Sequence, residues 1–303
     1  MKLTFMGTGT SLGVPIVGCN CPVCTSADPR DKRFRASALF EVDGLNILVD
    51  CGPDFRSQML RAGVGHLDGI LLTHNHKDHT GGIDDVRSLN YIDRRAAEIF
   101  CEQRVLESLQ REYPYAFASP RYPGAPEWHL HIIENKPFTV HPNKEDRELV
   151  WVHNVGYGYK MPDGSVKACP TDNIEPAVND GKGVQVVPIR GIHGQMPILG
   201  FRIGRIAYLT DFSSIPEEEF AKLEGLEHVT LNTVSYAPHH SHFSLDEALQ
   251  IADRIRAKHT WLTHLSHNFP IHEEFTADIR RICSERGITA DIRPAYDGLE
   301  LTA

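Results

Sequence analysis

Apolar residues along this chain occur in short runs separated by polar turns, which is typical of strands with helices between them. Residues 3–6 form the first run and lead into a loop of glycine, threonine and serine. Residues 37–49 hold two alternating runs joined by Asp43 and Gly44, a hairpin signal. Further strands are predicted at 70–72, 98–102, 183–189, 199–203, 206–210, 260–264 and 299–303.

Helix boundary signals lie between several of these runs. Pro53 stands near a predicted helix start, and Gly63 lies just past its end. A second helix is predicted over about 245–257, because Ser244 and Glu247 form a capping box. A third is predicted near 273–287, and a hairpin over 150–168.

The arrangement of strands and helices predicts an α/β (α+β) fold in one domain over residues 1–303. Two strand-rich halves are each followed by helices, and no linker, repeat or low-complexity tract interrupts them. The segment at about 113–183 is rich in proline, glycine and aromatic residues. We interpret it as an elaborated segment of that domain.

Composition narrows the class of protein. Hydrophobic content of 41% and charged content of 23% are ordinary for a globular chain, and the net charge of −9 argues against an extended nucleic acid partner. No apolar run approaches the roughly 20 residues that span a membrane, and the first residues lack a signal peptide's apolar region. These features predict a cytoplasmic protein without a membrane partner. Seven cysteines, an odd number, favour free thiols or a metal site over disulfides.

Three histidines and an aspartate lie within residues 74–79, directly after the apolar run at 70–72. In an extended segment, residues two apart point to the same side, so His74 and His76 can face one point. Asp78 and His79 follow one turn later and can face a second point nearby. Imidazole and carboxylate groups suit zinc, manganese or iron. A polar loop that happens to be histidine-rich is the alternative, and the alternating spacing disfavours it.

The segment THNHKDH resembles the H-x-H-x-D-H signature of metallo-β-lactamase fold hydrolases. The resemblance implies an αββα sandwich, with two mixed sheets flanked by helices. It also implies three further ligands after later strands, where His193, Asp211 and His264 each precede loop-like sequence. Two divalent ions, zinc or manganese, would then be bound by these side chains: His74, His76, His193 and Asp211 for the first, and Asp78, His79, Asp211 and His264 for the second. Paired ions that share a hydroxide suit phosphodiester hydrolysis.

A thiolate cluster, C-x-C-x-x-C, is formed by Cys19, Cys21 and Cys24. Structural zinc takes four tetrahedral donors, and His267, three residues after His264, is our candidate for the fourth. Three free thiols in a loop are the alternative. The cluster, the segment THLSH and the terminal YDGLEL resemble the phosphoribosyl 1,2-cyclic phosphate phosphodiesterase family of the carbon–phosphorus lyase pathway. That resemblance implies one structural zinc.

A proton donor is expected just before the capped helix. In the resembled family a histidine at this point acts as general acid, and His242 occupies the matching position; His240 is the rival. His240, His242 and Arg35 are candidates to bind the substrate phosphate. Arg56 could also contact it, and for both arginines a solvated surface position is the favoured alternative. Asp50 is expected to orient a metal-bound histidine. The remaining histidines are interpreted as surface or core residues: His66, His129, His131 and His153.

The sequence therefore predicts a metal-dependent hydrolase of a small cyclic or nucleotide-like phosphate, with Asp78, Asp211 and His242 in catalytic roles. Three alternatives stay open. They are a ribonuclease that processes tRNA 3′ ends, a protein of pyrroloquinoline quinone biosynthesis, and a non-catalytic nucleotide sensor. No basic arm for tRNA is visible, and an intact H-x-H-x-D-H motif disfavours the other two. A homodimer is compatible with the sequence, which does not fix the oligomeric state.

Overall fold

The computed structural model describes residues 1–118, 124–143, 148–152, 156–161, 163–169 and 173–303. The chain divides into two compact units. The first unit comprises Met1–Leu39, Asn135–Pro137 and Val186–Ala303, and the second comprises Phe40–Glu134 and Phe138–Gln185. The single domain expected over residues 1–303 stays a prediction.

Strands and helices alternate along the described residues. The strands are β1 (Lys2–Gly7), β2 (Ser37–Val42), β3 (Leu45–Val49), β4 (Gly69–Leu71), β5 (Ala97–Cys101), β6 (Trp128–Ile132), β7 (Phe138–Val140), β8 (Glu148–Val152), β9 (Gly156–Lys160), β10 (Val166–Ala168), β11 (Ile174–Pro176), β12 (Val184–His193), β13 (Met196–Ile203), β14 (Ile206–Tyr208), β15 (His228–Asn232), β16 (His259–Thr263), β17 (Asp291–Pro294) and β18 (Glu300–Thr302). The α-helices are α1 (Pro22–Thr25), α2 (Phe55–Ala62), α3 (Lys77–Thr80), α4 (Arg87–Asp93), α5 (Gln103–Glu112), α6 (Pro114–Phe117), α7 (Leu245–Ile255) and α8 (His272–Arg286). Short 3₁₀ helices cover Pro29–Asp31, Ile83–Val86 and Glu217–Leu223.

A parallel sheet in the order β3-β4-β5-β6-β11 forms the centre of the second unit. Its register places Ile47 opposite Gly69 and Ile70 opposite Ile99. The isoleucines are fully or almost fully buried, as expected for parallel strands covered on both faces. Because parallel strands end at the same edge, the loops after β3 and β4 emerge side by side.

A mixed sheet in the order β17-β16-β15-β14-β13-β12 forms most of the first unit. The pairs from β14 to β17 are parallel, whereas β12, β13 and β14 pair antiparallel. Helix α7 packs its apolar side into this unit's core, where Leu245, Ala248 and Leu249 are buried. Ser244 and Glu247 form the capping box that the sequence predicted.

Apart from β8, β9 and β10, which form a separate three-stranded sheet, the strands of the described residues belong to large mixed sheets of eight and seven strands, and helices flank them. This confirms the predicted mixed α/β class and the metallo-β-lactamase fold. The hairpin predicted over 150–168 corresponds to β8 and β9, which pair antiparallel, with β10 as a third strand; residues 153–155 lie outside the described residues. Among the helices that the structure describes, none has the length and apolar character to cross a membrane.

Candidate metal centres

The histidine-rich motif occupies the loop after β4 and the short helix α3. His74 and His79 are fully buried, whereas His76 is exposed. The His74 ring lies 4.7 Å from the His76 ring and 4.3 Å from the His79 ring, between centroids. Asp78 Oδ2 lies 3.3 Å from His79 Nε2. The second unit therefore gathers four candidate metal ligands at the end of one strand.

Asp50 fixes the orientation of this loop. It follows β3, and its carboxylate accepts hydrogen bonds from the Thr73 N–H at 2.9 Å and from the Thr73 hydroxyl. Its Oδ2 lies 2.6 Å from His79 Nδ1. Burial raises the pKa of Asp50, while His79 and Thr73 act in the opposite direction. With Nδ1 held by this carboxylate, Nε2 of His79 lies beside Asp78; metal-binding histidines commonly give their other nitrogen to a carboxylate in this way.

A second set of side chains surrounds Asp211 in the first unit. Asp211 Oδ1 lies 3.0 Å from His242 Nε2 and 3.1 Å from His264 Nε2. Its backbone carbonyl accepts a hydrogen bond from His193 Nδ1 at 2.8 Å, and Thr210 Oγ1 donates to Oδ2 at 2.7 Å. Asp211 thus contacts imidazoles from three separate segments of this unit, two through its carboxylate and one through its backbone carbonyl.

Backbone conformation marks the same positions. Asp50, Asp211 and His264 have φ angles of 62°, 67° and 57°, in the left-handed region that residues other than glycine rarely adopt. Each comes within three residues of the end of a strand, and each is buried. Such conformations cost roughly 1–3 kcal/mol each and concentrate at functional sites. We therefore attribute the non-glycine residues at these left-handed positions to a requirement for their polar side chains, and not to chain reversal alone.

His242 precedes the capped helix α7 and is held by its neighbours. Its Nδ1 lies 3.0 Å from the Ser241 hydroxyl, and its ring stacks on that of His264 at 4.8 Å between centroids. Burial lowers the pKa of His242 to about 4, with Asp211 opposing that shift. In the protein without bound ions or substrate, the imidazole is consequently neutral near pH 7.

The other candidate phosphate ligands have different surroundings. His240 is exposed, and its ring lies 4.5 Å from that of His239. Arg35 is half-buried, and its Nε donates to the carbonyl of Ser11 at 3.2 Å. Arg56 lies on the exposed side of α2. Their proposed roles in binding phosphate stay predictions.

The three predicted thiolate ligands and the predicted histidine lie together in the first unit. His267 Nδ1 is 3.3, 3.5 and 3.7 Å from the Sγ atoms of Cys19, Cys21 and Cys24, respectively. Tetrahedral zinc, with its usual bond lengths to sulfur and nitrogen, would separate such atoms by roughly 3.6 Å. The Cys24 N–H donates to Cys21 Sγ and lowers the pKa of Cys21 to about 6, whereas burial raises the pKa of Cys24 to about 11. The donor set and its spacing fit a metal ion.

A further cluster, Glu98 with His129 and His131, was missed by sequence reasoning, which interpreted both histidines as surface or core residues. Their donor atoms lie within 4.8 Å of one another in the second unit. The available signal was the alternation of WHLHI, which places both rings on one side of a strand. His66 contacts Asp68 and Asp93. His153 lies outside the described residues.

Comparison with known proteins assigns the family. The β-lactamase superfamily domain matches residues 45–265. A diphosphatase of the PhnP family, known from a crystal structure, is 33% identical, covers 100% of this chain and 97% of its own, and superposes with a TM-score of 0.75. The chain therefore belongs to the β-lactamase superfamily and, within it, to the PhnP family.

Two curated relatives extend the comparison. An octanoyltransferase from Porphyromonas gingivalis is 35% identical over 302 residues, which are 99% of this chain and 51% of that protein. The chain thus spans about half the length of this relative. A ribonuclease Z from Streptomyces avermitilis is 27% identical over 301 residues, covering 90% of this chain and 93% of that protein. The superfamily match and the diphosphatase support the expected class, a metal-dependent hydrolase.

Proposed function

We propose that this chain is a metal-dependent phosphodiesterase that hydrolyses a small cyclic or nucleotide-like phosphate. The observation that carries the proposal is the donor set itself. The second unit presents an intact His-x-His-x-Asp-His motif, and the first unit presents Asp211 among three imidazoles. Such mixed imidazole and carboxylate donors suit zinc, manganese or iron.

The proposed ligands follow the family pattern. His74, His76, His193 and Asp211 would hold the first ion, and Asp78, His79, Asp211 and His264 would hold the second. Two adjacent divalent ions held there would supply a nucleophile derived from water and would neutralise charge on the reacting phosphate. Asp50, through Nδ1 of His79, positions one ligand and orients its Nε2 beside Asp78.

His242 is proposed to protonate the leaving oxygen. Its pKa of about 4 in the chain by itself leaves it neutral, with burial as the main cause. To act as an acid the ring must hold a proton in the loaded site, where the negative phosphodiester would favour the imidazolium and the two cations would oppose it. His240 and Arg35 are proposed to contact the phosphate, His240 from the exposed end of the same loop.

A structural zinc is proposed at Cys19, Cys21, Cys24 and His267. The support is the donor set together with separations that match tetrahedral coordination. Four protein ligands leave no position open for a substrate. This ion is therefore assigned to folding and not to hydrolysis.

A second candidate activity is cleavage of a phosphoric anhydride. The likeness to a diphosphatase over the whole chain favours it. Both reactions displace an oxygen leaving group at phosphorus, so the same donor set serves either one. A small phosphorylated substrate is proposed in both cases, and a homodimer stays a prediction.

The experiment is a substrate panel tested with purified protein. Cyclic nucleotides, sugar cyclic phosphates, linear phosphodiesters and nucleoside diphosphate conjugates are each assayed with Zn²⁺ and Mn²⁺. We expect turnover of at least one phosphodiester or anhydride, and none in Asp211→Ala, which should retain its cysteine-bound zinc. Failure on every phosphorus ester and anhydride, with both metals bound, would refute the proposal.

A further inference from the structure

A second histidine and carboxylate cluster lies on one face of the parallel sheet in the second unit. Glu98 on β5 pairs with His129 on β6, and His131 on β6 pairs with Glu175 on β11. Residues at alternate positions of a strand share a face, so all four side chains lie on the same side. Three adjacent strands therefore hold this cluster, and none of its side chains belongs to the motif at 74–79.

The donor atoms are arranged on two sides of the imidazoles. Glu98 Oε2 lies 3.0 Å from His129 Nδ1 and 2.5 Å from His131 Nε2. The opposite ring nitrogens, His129 Nε2 and His131 Nδ1, lie 3.3 and 3.4 Å from Glu175 Oε1. One nitrogen of each ring thus converges with Glu98, while the other faces Glu175. Metal-binding histidines commonly give their second nitrogen to a carboxylate in this way.

The ring orientations are fixed by packing as well as by charge. His131 stacks on Phe100 with the centroids 4.4 Å apart, and His129 lies 4.3 Å from His131. The side chains of Glu98, His129 and His131 are only 12–14% exposed. Burial would raise the pKa of Glu98, but hydrogen bonds from both histidines outweigh it and lower that pKa. The carboxylate therefore stays charged.

A cavity of about 180 Å³ opens beside the cluster within the second unit. Glu98, His129, His131 and Glu175 line it together with His141. Two imidazoles and one carboxylate on a concave wall leave room for an exchangeable fourth ligand. Tetrahedral ligands of zinc at its usual bond lengths are roughly 3.3–3.5 Å apart. To bind zinc, the Glu98 carboxylate must therefore move away from His131 Nε2, which is now 2.5 Å away, by about 1 Å or less.

We propose that Glu98, His129 and His131 bind a divalent transition metal ion of the zinc class, with Glu175 as the positioning residue. This site is additional to the two hydrolytic ions and the cysteine-bound zinc.

The test compares wild type, Glu98→Gln and His131→Ala, each purified with its cysteine-bound zinc retained, by elemental analysis and by calorimetric titration with further Zn²⁺. We expect each variant to lose one zinc equivalent or to bind it at least about tenfold more weakly, because a ligand is missing. Glu175→Gln should weaken the same equivalent by about 10- to 100-fold. His141→Gln is the matched control, because His141 lines the cavity without joining the cluster, and it should bind like wild type.

Two results would overturn the proposal. One is equal zinc binding by wild type and by folded Glu98→Gln and His131→Ala. The other comes from an experiment on the wild-type protein alone, so it still applies if the variants fail to fold. Wild-type crystals soaked in Zn²⁺ should show anomalous scattering between Glu98, His129 and His131. Scattering at the cysteines with none at this cluster would leave only a hydrogen-bonded network of histidines and glutamates.

Discussion

At the scale of single residues, Asp211 shows why the chain tolerates an unfavourable backbone conformation at one position. Its φ of 67° would suit glycine, yet the carboxylate contacts His242 and His264 and its carbonyl accepts from His193. Glycine would remove the conformational cost and the carboxylate together. The residue is thus explained by its side-chain chemistry and not by the turn.

The role of His242 can be tested by comparing leaving groups. His242→Ala should lower the rate on an alkyl phosphodiester by roughly 10²- to 10⁴-fold, because the departing alkoxide needs a proton. A nitrophenyl ester should lose much less, since nitrophenolate departs without help. Rates are measured on both substrates, with metal content determined alongside.

Several outcomes separate the possible roles. Equal losses on both esters would leave His242 a phosphate-binding role at most. Loss of metal would mean that it is a ligand. A strong effect of His240→Ala, with none from His242→Ala, would move the proton donor two residues upstream.

Residues near one another in sequence could be placed from the sequence itself. Of the distant partners, His267 beside the three cysteines was named in advance, whereas Asp50 was expected to orient a histidine without His79 being singled out. The position of His74 after a buried strand follows from the apolar run before it. The contact between Asp50 and His79 joins two strand ends, and that between Glu98 and His129 depends on the register of β5 with β6. Strand register depends on which strands become neighbours, and a single sequence does not encode that in its periodicity.

At the scale of secondary-structure elements, the loop that contains α1 shows how a short helix can depend on a proposed metal ion. Helix α1 has four residues, Pro22–Thr25, and the Cys21 side chain caps it by accepting from the Cys24 N–H. A helix this short gains little from its own hydrogen bonds. The proposed zinc would therefore supply much of the stability of this segment.

Removing one thiolate should reveal that dependence. Cys21→Ser should lose one zinc equivalent and lower the melting temperature by at least about 5 °C. Cys169→Ser is the control, because it leaves all four proposed ligands in place. Elemental analysis and calorimetry measure both effects. A Cys21→Ser variant with unchanged zinc and unchanged stability would rule out the structural site.

The start of α8 should make stability depend on pH. His272 is buried, and the Arg33 guanidinium lies 3.2 Å from its Nδ1. Burial, with Arg33 as a further cause, lowers the pKa of His272 from 6.5 to about 4. Between those values the unfolded chain binds a proton that the folded chain does not, so stability falls as the pH drops from about 6.5 to about 4.

The expected slope is at most about 1.4 kcal/mol of unfolding free energy per pH unit. His272→Asn keeps an acceptor for Arg33 but cannot titrate, so its unfolding free energy should fall less steeply over this range. Denaturant unfolding at several pH values measures the difference, and metal release affects both proteins alike. Parallel curves for the two proteins would show that His272 is not the cause.

Elements were predicted well where their boundaries carry a chemical signal. Helix α7 has its capping box and α2 ends at Gly63 with a φ of 66°, so both were placed from sequence. Strand β15, with the sequence HVTLN, was not predicted. Its interior position between β14 and β16 is a property of the sheet and not of these five residues.

At the scale of the whole molecule, net charge provides a way to distinguish the candidate substrates. The chain carries 31 basic and 40 acidic residues. A protein that neutralises six to ten nucleic acid phosphates loses roughly 10³- to 10⁵-fold in affinity between 50 and 200 mM salt. A small phosphodiester carries too little charge to show such a dependence. Salt therefore separates a small-molecule phosphodiesterase from an enzyme that processes tRNA.

We expect kcat/KM for the best small substrate to change by no more than roughly threefold between 50 and 200 mM KCl, since few counterions are displaced. Precursor tRNA with a 3′ extension should not be cleaved at a comparable rate under either condition. Both reactions are followed with the same metal-loaded protein, and Asp211→Ala is assayed in parallel to exclude contaminating nucleases. Efficient 3′ cleavage that is lost in Asp211→Ala and falls steeply with salt would instead favour the ribonuclease. In that case the acidic net charge would conceal a local basic surface, and charge reversal of exposed lysines and arginines would locate it.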